Sequence, residues 1–234
     1  MRSNVISKLC LVVLLMVVGA SSSVMAHSQM VPQVTAMKTK EVPVIDGILD
    51  DQVWLDAAIY GSKIGGFVTH TGSGLAIHDT IAYMAYDDEN FYIAIVAFKE
   101  DMENLTTRSK IRDDAVHKDD SVEVFWDTNH DHLTFYHIIN NSIGTQAELF
   151  GRDWSWNPEW QVGVQVFSDR WISEIAIPFA EMELEGAPEI GEVWGFNVNR
   201  NDISTAQHTG WAKTYGSFLT PQLFGHLTFG GYLQ

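Results

Sequence analysis

The stretch DDSVEVFWD, Asp119–Asp127, decides how the rest of the chain is read. In an extended segment Val122, Val124 and Trp126 share one face, and Ser121, Glu123, Phe125 and Asp127 share the other. The first face is wholly apolar, as a strand facing a core should be. The second holds a carboxylate beside a phenylalanine, at a mid-strand position that ordinarily takes a β-branched or aromatic residue. Glu123 therefore needs a reason: a ligand to bind, or a structural partner to satisfy it.

Outward from this strand the same pattern recurs. DTIAYMAYDDENFYIAIVAF (79–98) reads as two apolar runs around a polar turn, a β-hairpin. LTFYHIINNSIGTQAELF (133–150) repeats it around NNSIG, and WQVGVQVFSDRWISEIAIP (160–178) around SDR. VWGFNVNRND (193–202) and FGHLTFGGYL (224–233) add two more runs. Helical signals are short, at Asp51–Ile59 and Pro178–Leu184, the second opening on proline, whose missing N–H costs little there. About ten short strands at regular spacing, with no parallel βαβ pattern, predict an all-β fold: an antiparallel β-sandwich with one or two short helices. One domain is expected over 41–234, preceded by a loose polar leader at 27–40.

The 234 residues are 46% hydrophobic, enough for a sizeable core. Fourteen basic against 30 acidic side chains give a net charge of −16. That balance argues against nucleic acid or anionic lipid as a partner, since phosphate binding needs Lys and Arg. Arg2 and Lys8, the apolar run Leu9–Ala20 and the small residues of SSSVMA form a signal-peptide pattern, with cleavage expected after Ala26. The run is too short to span a membrane comfortably, so the chain is read as exported, periplasmic or secreted, and not membrane-embedded. Cys10, the sole cysteine, lies inside that segment. The mature chain then has no disulfide or thiolate chemistry.

No G-x-S-x-G elbow, H-E-x-x-H or P-loop occurs. With 30 acidic residues some pair could always be matched to a glycosidase, so none is singled out. His130 and His132, at i and i+2, with His137 on the next strand, could serve a metal or a haem. In RDWSWNPEW (152–160), Trp160 opens an alternating strand and belongs to the core. Trp154 and Trp156 sit in a polar loop, where they either tuck against the sandwich or offer rings to stack on a sugar.

These motifs together resemble the family 9 carbohydrate-binding modules, β-sandwich modules often attached to secreted xylanases. The likeness runs from about Val42 to Phe229. It is carried in order by VIDGILDDQVW (44–54), AYDDENFYIAIVAF, DDSVEVFWD, WISEIAIPF, VWGFNVNRND and FGHLTF. The resemblance implies non-catalytic binding of glucan or xylan fragments or their terminal sugars, in support of polysaccharide catabolism. It places Glu123 in the sugar site, accepting hydrogen bonds from hydroxyls, and Asn199 facing the same sugar. The two flanking tryptophans of such members correspond to His117 and Phe218, and an arginine on the strand after D-S-V-E corresponds to Ile138. Trp154 or Trp156 would add a loop contact. The resemblance also implies a structural Ca2+. Independently, Asp127, Asn129 and Asp131 of DTNHD set oxygens at alternate loop positions, as hard-cation loops do. Two other readings stay open: a haem-binding periplasmic electron-transfer sandwich with a His or Met axial ligand, and a structural module without ligand.

Overall fold

The structure, a computed structural model, describes residues 31–232. The signal segment lies outside the described residues. The strands are β1 (Gln33–Lys38), β2 (Lys63–Ile64), β3 (Val68–Thr69), β4 (Thr80–Tyr86), β5 (Asn90–Phe98), β6 (Ser121–Asp127) and β7 (Tyr136–Asn141). They continue with β8 (Gln146–Phe150), β9 (Gln161–Val166), β10 (Arg170–Pro178), β11 (Val193–Asp202), β12 (Gln207–Gly210) and β13 (Gly225–Tyr232). One helix, α1 (Gln52–Tyr60), precedes β2. The predicted hairpins form as β4–β5, β7–β8 and β9–β10.

Hydrogen bonding orders the strands β8-β7-β6-β11-β13-β1-β4-β5-β10-β9, with β12 on β11 and β2 on β4. The sheet curls so that its two halves face each other as a β-sandwich. Val122, Val124 and Trp126 of β6 and Phe196 of β11 meet Phe91, Ile93 and Ile95 of β5 and Trp171 of β10 in one core. The Phe91 ring sits edge-on to Trp126 across it (5.6 Å). The polar run expected as a loose leader instead supplies β1. It lies parallel to both β13 and β4 and buries Val34, Ala36 and Met37. A six-residue strand that begins on Gln33 and ends on Lys38 carries little local signal; its partners come from far along the chain, and only their edges give its N–H groups and apolar face somewhere to go.

The near-continuous apolar run of β5 is explained by burial on both faces. Tyr92 and Ala94 point away from the core and lie under Val53, Trp54 and Ala57 of α1. That helix stops at Gly61, which takes the left-handed conformation (φ 83°). The segment Pro178–Leu184, predicted helical, makes only a single 3-10 turn, Phe179–Met182, closed by Glu183 at φ 59°. Phe179 and Met182 both turn into the core, and one turn suffices for that.

The motif I-D-G also has a structural reason. Gly47 sits at φ 87°, and a Cβ there would come within 2.4 Å of the Gln165 backbone nitrogen. The buried carboxylate of Glu174 receives the N–H groups of Asp46 (2.9 Å) and Gly47 (2.7 Å), pinning the loop to β10.

Candidate functional site

The outer face of β6, β7 and β11 is layered with polar and aromatic side chains rather than left to solvent. Glu123 and Phe125 come from β6 and His137 and Ile139 from β7, and all four are buried. Asn197, Asn199 and Asn201 of β11 continue the layer across the register Asn199↔Glu123. Two segments cover it. Residues 218–224 pack through Phe218, Leu219 and Phe224 onto Phe125 and Phe135. The 3-10 turn Val116–Lys118 is held by Val116, fully buried against Ile139, Ala147 and Leu149, which leaves His117 at the surface beside the cover.

A groove remains between the two covers, made of adjoining cavities of about 250 and 190 Å³. Both are lined by His117, Glu123 and Phe218. The larger extends over His137, Ile139 and Leu149 to Trp154. The smaller extends to His70, Asn201 and His208. Phe218 stands edge-on to the rings of His70 (5.8 Å) and His208 (6.2 Å).

Glu123 is the hub. One carboxylate oxygen accepts from His137 Nε2 (2.8 Å) and the other from Asn201 Nδ2 (2.6 Å). His137 is itself stacked on Phe125, with ring centroids 3.8 Å apart, so its ring cannot swing away freely. Burial opposes the charge on Glu123. The hydrogen bond and charge of His137 and the amide of Asn201 outweigh it, and the carboxyl is held below the ordinary glutamate value. Asn201 Oδ1 in turn receives His208 Nδ1 (2.6 Å). Burial, followed by the charge of neighbouring His70, pushes the His208 imidazole below the usual histidine value. A carboxylate kept charged in a half-enclosed groove between planar rings can accept hydrogen bonds from hydroxyl groups and hold a flat apolar face beside them.

Of the residues expected from sequence, Glu123, His117, Phe218 and Trp154 are brought together here; Trp154 is 50% exposed at one end of the groove. Two others lie elsewhere. Asn199 shares the outer face but is fully buried and does not line the groove; a Cβ on Gly210 would be 3.1 Å from its Oδ1, so β12 closes over it. Asn201, two residues on and on the same face, reaches the groove in its place. Trp156 donates to the Glu181 carbonyl (3.0 Å) and packs on Tyr136 and the core. Ile138 points into the core, as strand alternation requires; the β7 residue that meets Glu123 is His137. Sequence reading missed His70, His208 and Asn201 as site residues and considered His137 only for a metal or a haem. His137 was legible from alternation, but His70 and His208 are 138 positions apart and meet only in the fold.

The DTNHD loop spends its oxygens on itself. Asp127 accepts the N–H groups of Asp131 (3.1 Å) and His132 (2.8 Å), and Asp131 those of Leu133 (2.7 Å) and Thr134 (2.8 Å). Asn129 Oδ1 accepts from Asp131 (3.2 Å). These oxygens are thus engaged in the loop's own turn. Among the described residues no cluster of three or more His, Cys, Asp or Glu is arranged to hold a metal. The His130 ring packs against His132 and His226, with centroids 4.7 and 4.9 Å away respectively. No helix among the described residues is long and apolar enough to cross a membrane.

No curated protein matches the sequence. Among solved structures the chain is similar to a family 9 carbohydrate-binding module from Caldicellulosiruptor kristjanssonii, in complexes with cellotriose and with glucose. Each superimposes with a TM-score of 0.64 at 18% identity, over 86% of this chain and 95% or 97% of the other. A Bacteroides uniformis protein superimposes with a TM-score of 0.66 at 12% identity, over 86% of this chain and all of that one. These likenesses establish the β-sandwich fold. The family model "Carbohydrate family 9 binding domain-like" matches residues 45–231, almost all of the described chain, and with that match the protein belongs to this family of binding, not catalytic, domains.

Proposed function

We propose that the groove binds the end of a neutral glycan, a β-linked glucan or xylan fragment, and does not cleave it. The observation that carries this reading is the charged, buried Glu123 at the floor of a groove whose sides are His117 and Phe218. The carboxylate would receive sugar hydroxyls, the two rings would flank the pyranose, and Trp154 would extend the apolar contact. The cellotriose and glucose held by the Caldicellulosiruptor module support glucose-based chains as the first ligands to test. A shallow site of this kind suits affinities on the order of micromolar to millimolar, about 4 to 8 kcal/mol. We further propose that the chain is exported after cleavage behind Ala26, on the strength of its signal-peptide pattern, and serves polysaccharide catabolism outside the cytoplasm.

Titration calorimetry against glucose, cello- and xylo-oligosaccharides tests the binding. Glu123→Gln should weaken it about ten- to a hundredfold, the cost of a hydrogen bond to a charged group. Phe218→Ala should weaken it about tenfold through lost ring contact. Full affinity in both folded variants would place the site elsewhere. No binding across the panel, together with a haem spectrum in the purified protein, would favour the electron-transfer reading instead.

A further inference from the structure

Four of the nine histidines, His70, His117, His137 and His208, border the groove, and the hydrogen bonds fix the tautomers of two of them. A carboxylate only accepts, so the Asn201 amide must turn Nδ2 toward Glu123 and Oδ1 toward His208. Oδ1 also only accepts, so His208 carries its proton on Nδ1. His70 Nδ1 lies 2.9 Å from the His208 backbone carbonyl, another pure acceptor, so its proton is on Nδ1 too. In their neutral forms both rings therefore keep a bare lone pair on Nε2. Among the described residues neither Nε2 has a hydrogen-bond partner, and both rings line the same cavity as Glu123 and His117.

Building on the carbohydrate reading, we propose that His70 and His208 are ligand-contacting specificity residues. With Glu123 they form a wall made only of hydrogen-bond acceptors, which selects a ligand presenting several O–H donors and disfavours an anionic sugar such as a uronate. The three acceptors stand on separate elements: Glu123 on β6, His208 on β12 and His70 just after β3. A neutral sugar can turn a hydroxyl hydrogen to each of them. A carboxylate can offer no hydrogen and meets the Glu123 charge.

The same wiring makes recognition pH-dependent. Protonation of His208 turns its Nε2 from acceptor to donor, and the sugar hydroxyl must reorient or lose the bond. The titratable groups facing His208 are Glu123 from β6, His117 from the turn ahead of β6, and His70 from the loop after β3. His137 lies behind Glu123. On the segment after β12, Lys213 sits over the Tyr215 ring, 5.3 Å from its centroid. Because His208 is depressed below the ordinary histidine value, affinity should be full at neutral pH and above, and fall only as the medium becomes acidic.

The test is calorimetry with cellotriose, or the best ligand of the panel above, from about pH 8 to pH 5, the range over which imidazoles change charge. Wild-type affinity should drop about tenfold toward the acid end, the worth of one neutral hydrogen bond. His208→Ala and His70→Ala should each bind about tenfold more weakly at neutral pH. His208→Gln should bind less well than wild type and show a smaller acid loss, since an amide does not titrate in this range. Nitrogen-15 spectra of the histidine rings should show the Nδ1–H tautomer at both positions, independently of any ligand. A flat wild-type profile, an unchanged acid loss in His208→Gln, full affinity in both alanine variants, or Nε2–H tautomers would overturn the inference while leaving sugar binding in place. Absence of binding by wild type at every pH would overturn the carbohydrate reading and this inference with it.

Discussion

Replacing Glu123 by alanine should destabilise the fold as well as the site, and the hydrogen bonds say by how much. The carboxylate accepts from two donors, His137 Nε2 and Asn201 Nδ2. They do not suffer equally. Asn201 Nδ2 keeps a second acceptor, Ser121 Oγ at 3.0 Å, so its loss is that of an ordinary hydrogen bond, about 0.5 to 1.5 kcal/mol. His137 has no such reserve. Its Nδ1 is buried without a partner among the described residues, so moving the proton across the ring only exchanges one unpaired N–H for another. A buried orphan donor costs about 1 to 3 kcal/mol, which brings the total for Glu123→Ala to about 1.5 to 4.5 kcal/mol. The pH dependence follows from the sign of the shift. Glu123 is held below the ordinary glutamate value, so its contribution is complete above that value and disappears as the pH falls through the lower, folded-state value. The gap between wild type and Glu123→Ala should therefore be wide at neutral pH and close in strong acid. Urea unfolding at both pH values measures it, and a double-mutant cycle with His137→Ala should return a coupling of about 1 to 3 kcal/mol. If Glu123→Ala unfolds within about 0.5 kcal/mol of wild type at neutral pH, the buried donors have found other partners and Glu123 is not a hub.

The two loop tryptophans should separate cleanly. Trp154→Ala should weaken sugar binding by about 1 kcal/mol with little change in melting, whereas Trp156→Ala should destabilise by about 3 kcal/mol and leave the affinity of the folded protein unchanged; calorimetry and thermal melts on both variants decide it. Gly47→Ala should lower stability by at least about 2 kcal/mol, because its left-handed backbone and the nearby Gln165 nitrogen both reject a Cβ; an unchanged urea midpoint would contradict it. Burial opposes the charge of Asp202, but His78, Arg200 and Lys99 outweigh it and hold the carboxyl at about 2. Its contribution should be present above the ordinary aspartate value and be lost as the pH falls toward about 2. Asp202→Ala should cost about 3 kcal/mol at neutral pH, since it strips a close partner from the buried Lys99 ammonium (3.1 Å), and that cost should shrink in acid denaturation profiles.

Local sequence pattern was enough to set the strands and their faces. Period-2 alternation put Val122, Val124 and Trp126 inward and Glu123 and Phe125 outward, and local turn chemistry placed the hairpins, as where Asp87 accepts the N–H groups of Glu89 and Asn90 between β4 and β5. These are short-range effects, written in neighbouring residues. β1 was not legible, because a short polar-flanked segment becomes a strand only when the edges of β13 and β4 are there to receive it. The site divided along the same line. Family motifs pointed to Glu123, His117 and Phe218. Alternation alone could have chosen His137 over Ile138. Which asparagine of β11 reaches the groove depended on where β12 and residues 211–224 close over the sheet, which no local pattern encodes. His70 and His208 are joined by nothing in the sequence; a carbonyl and an amide oxygen, supplied by the fold, orient their rings and fix their protons. Local periodicity sets which way a side chain points, but only long-range packing decides what it finds there.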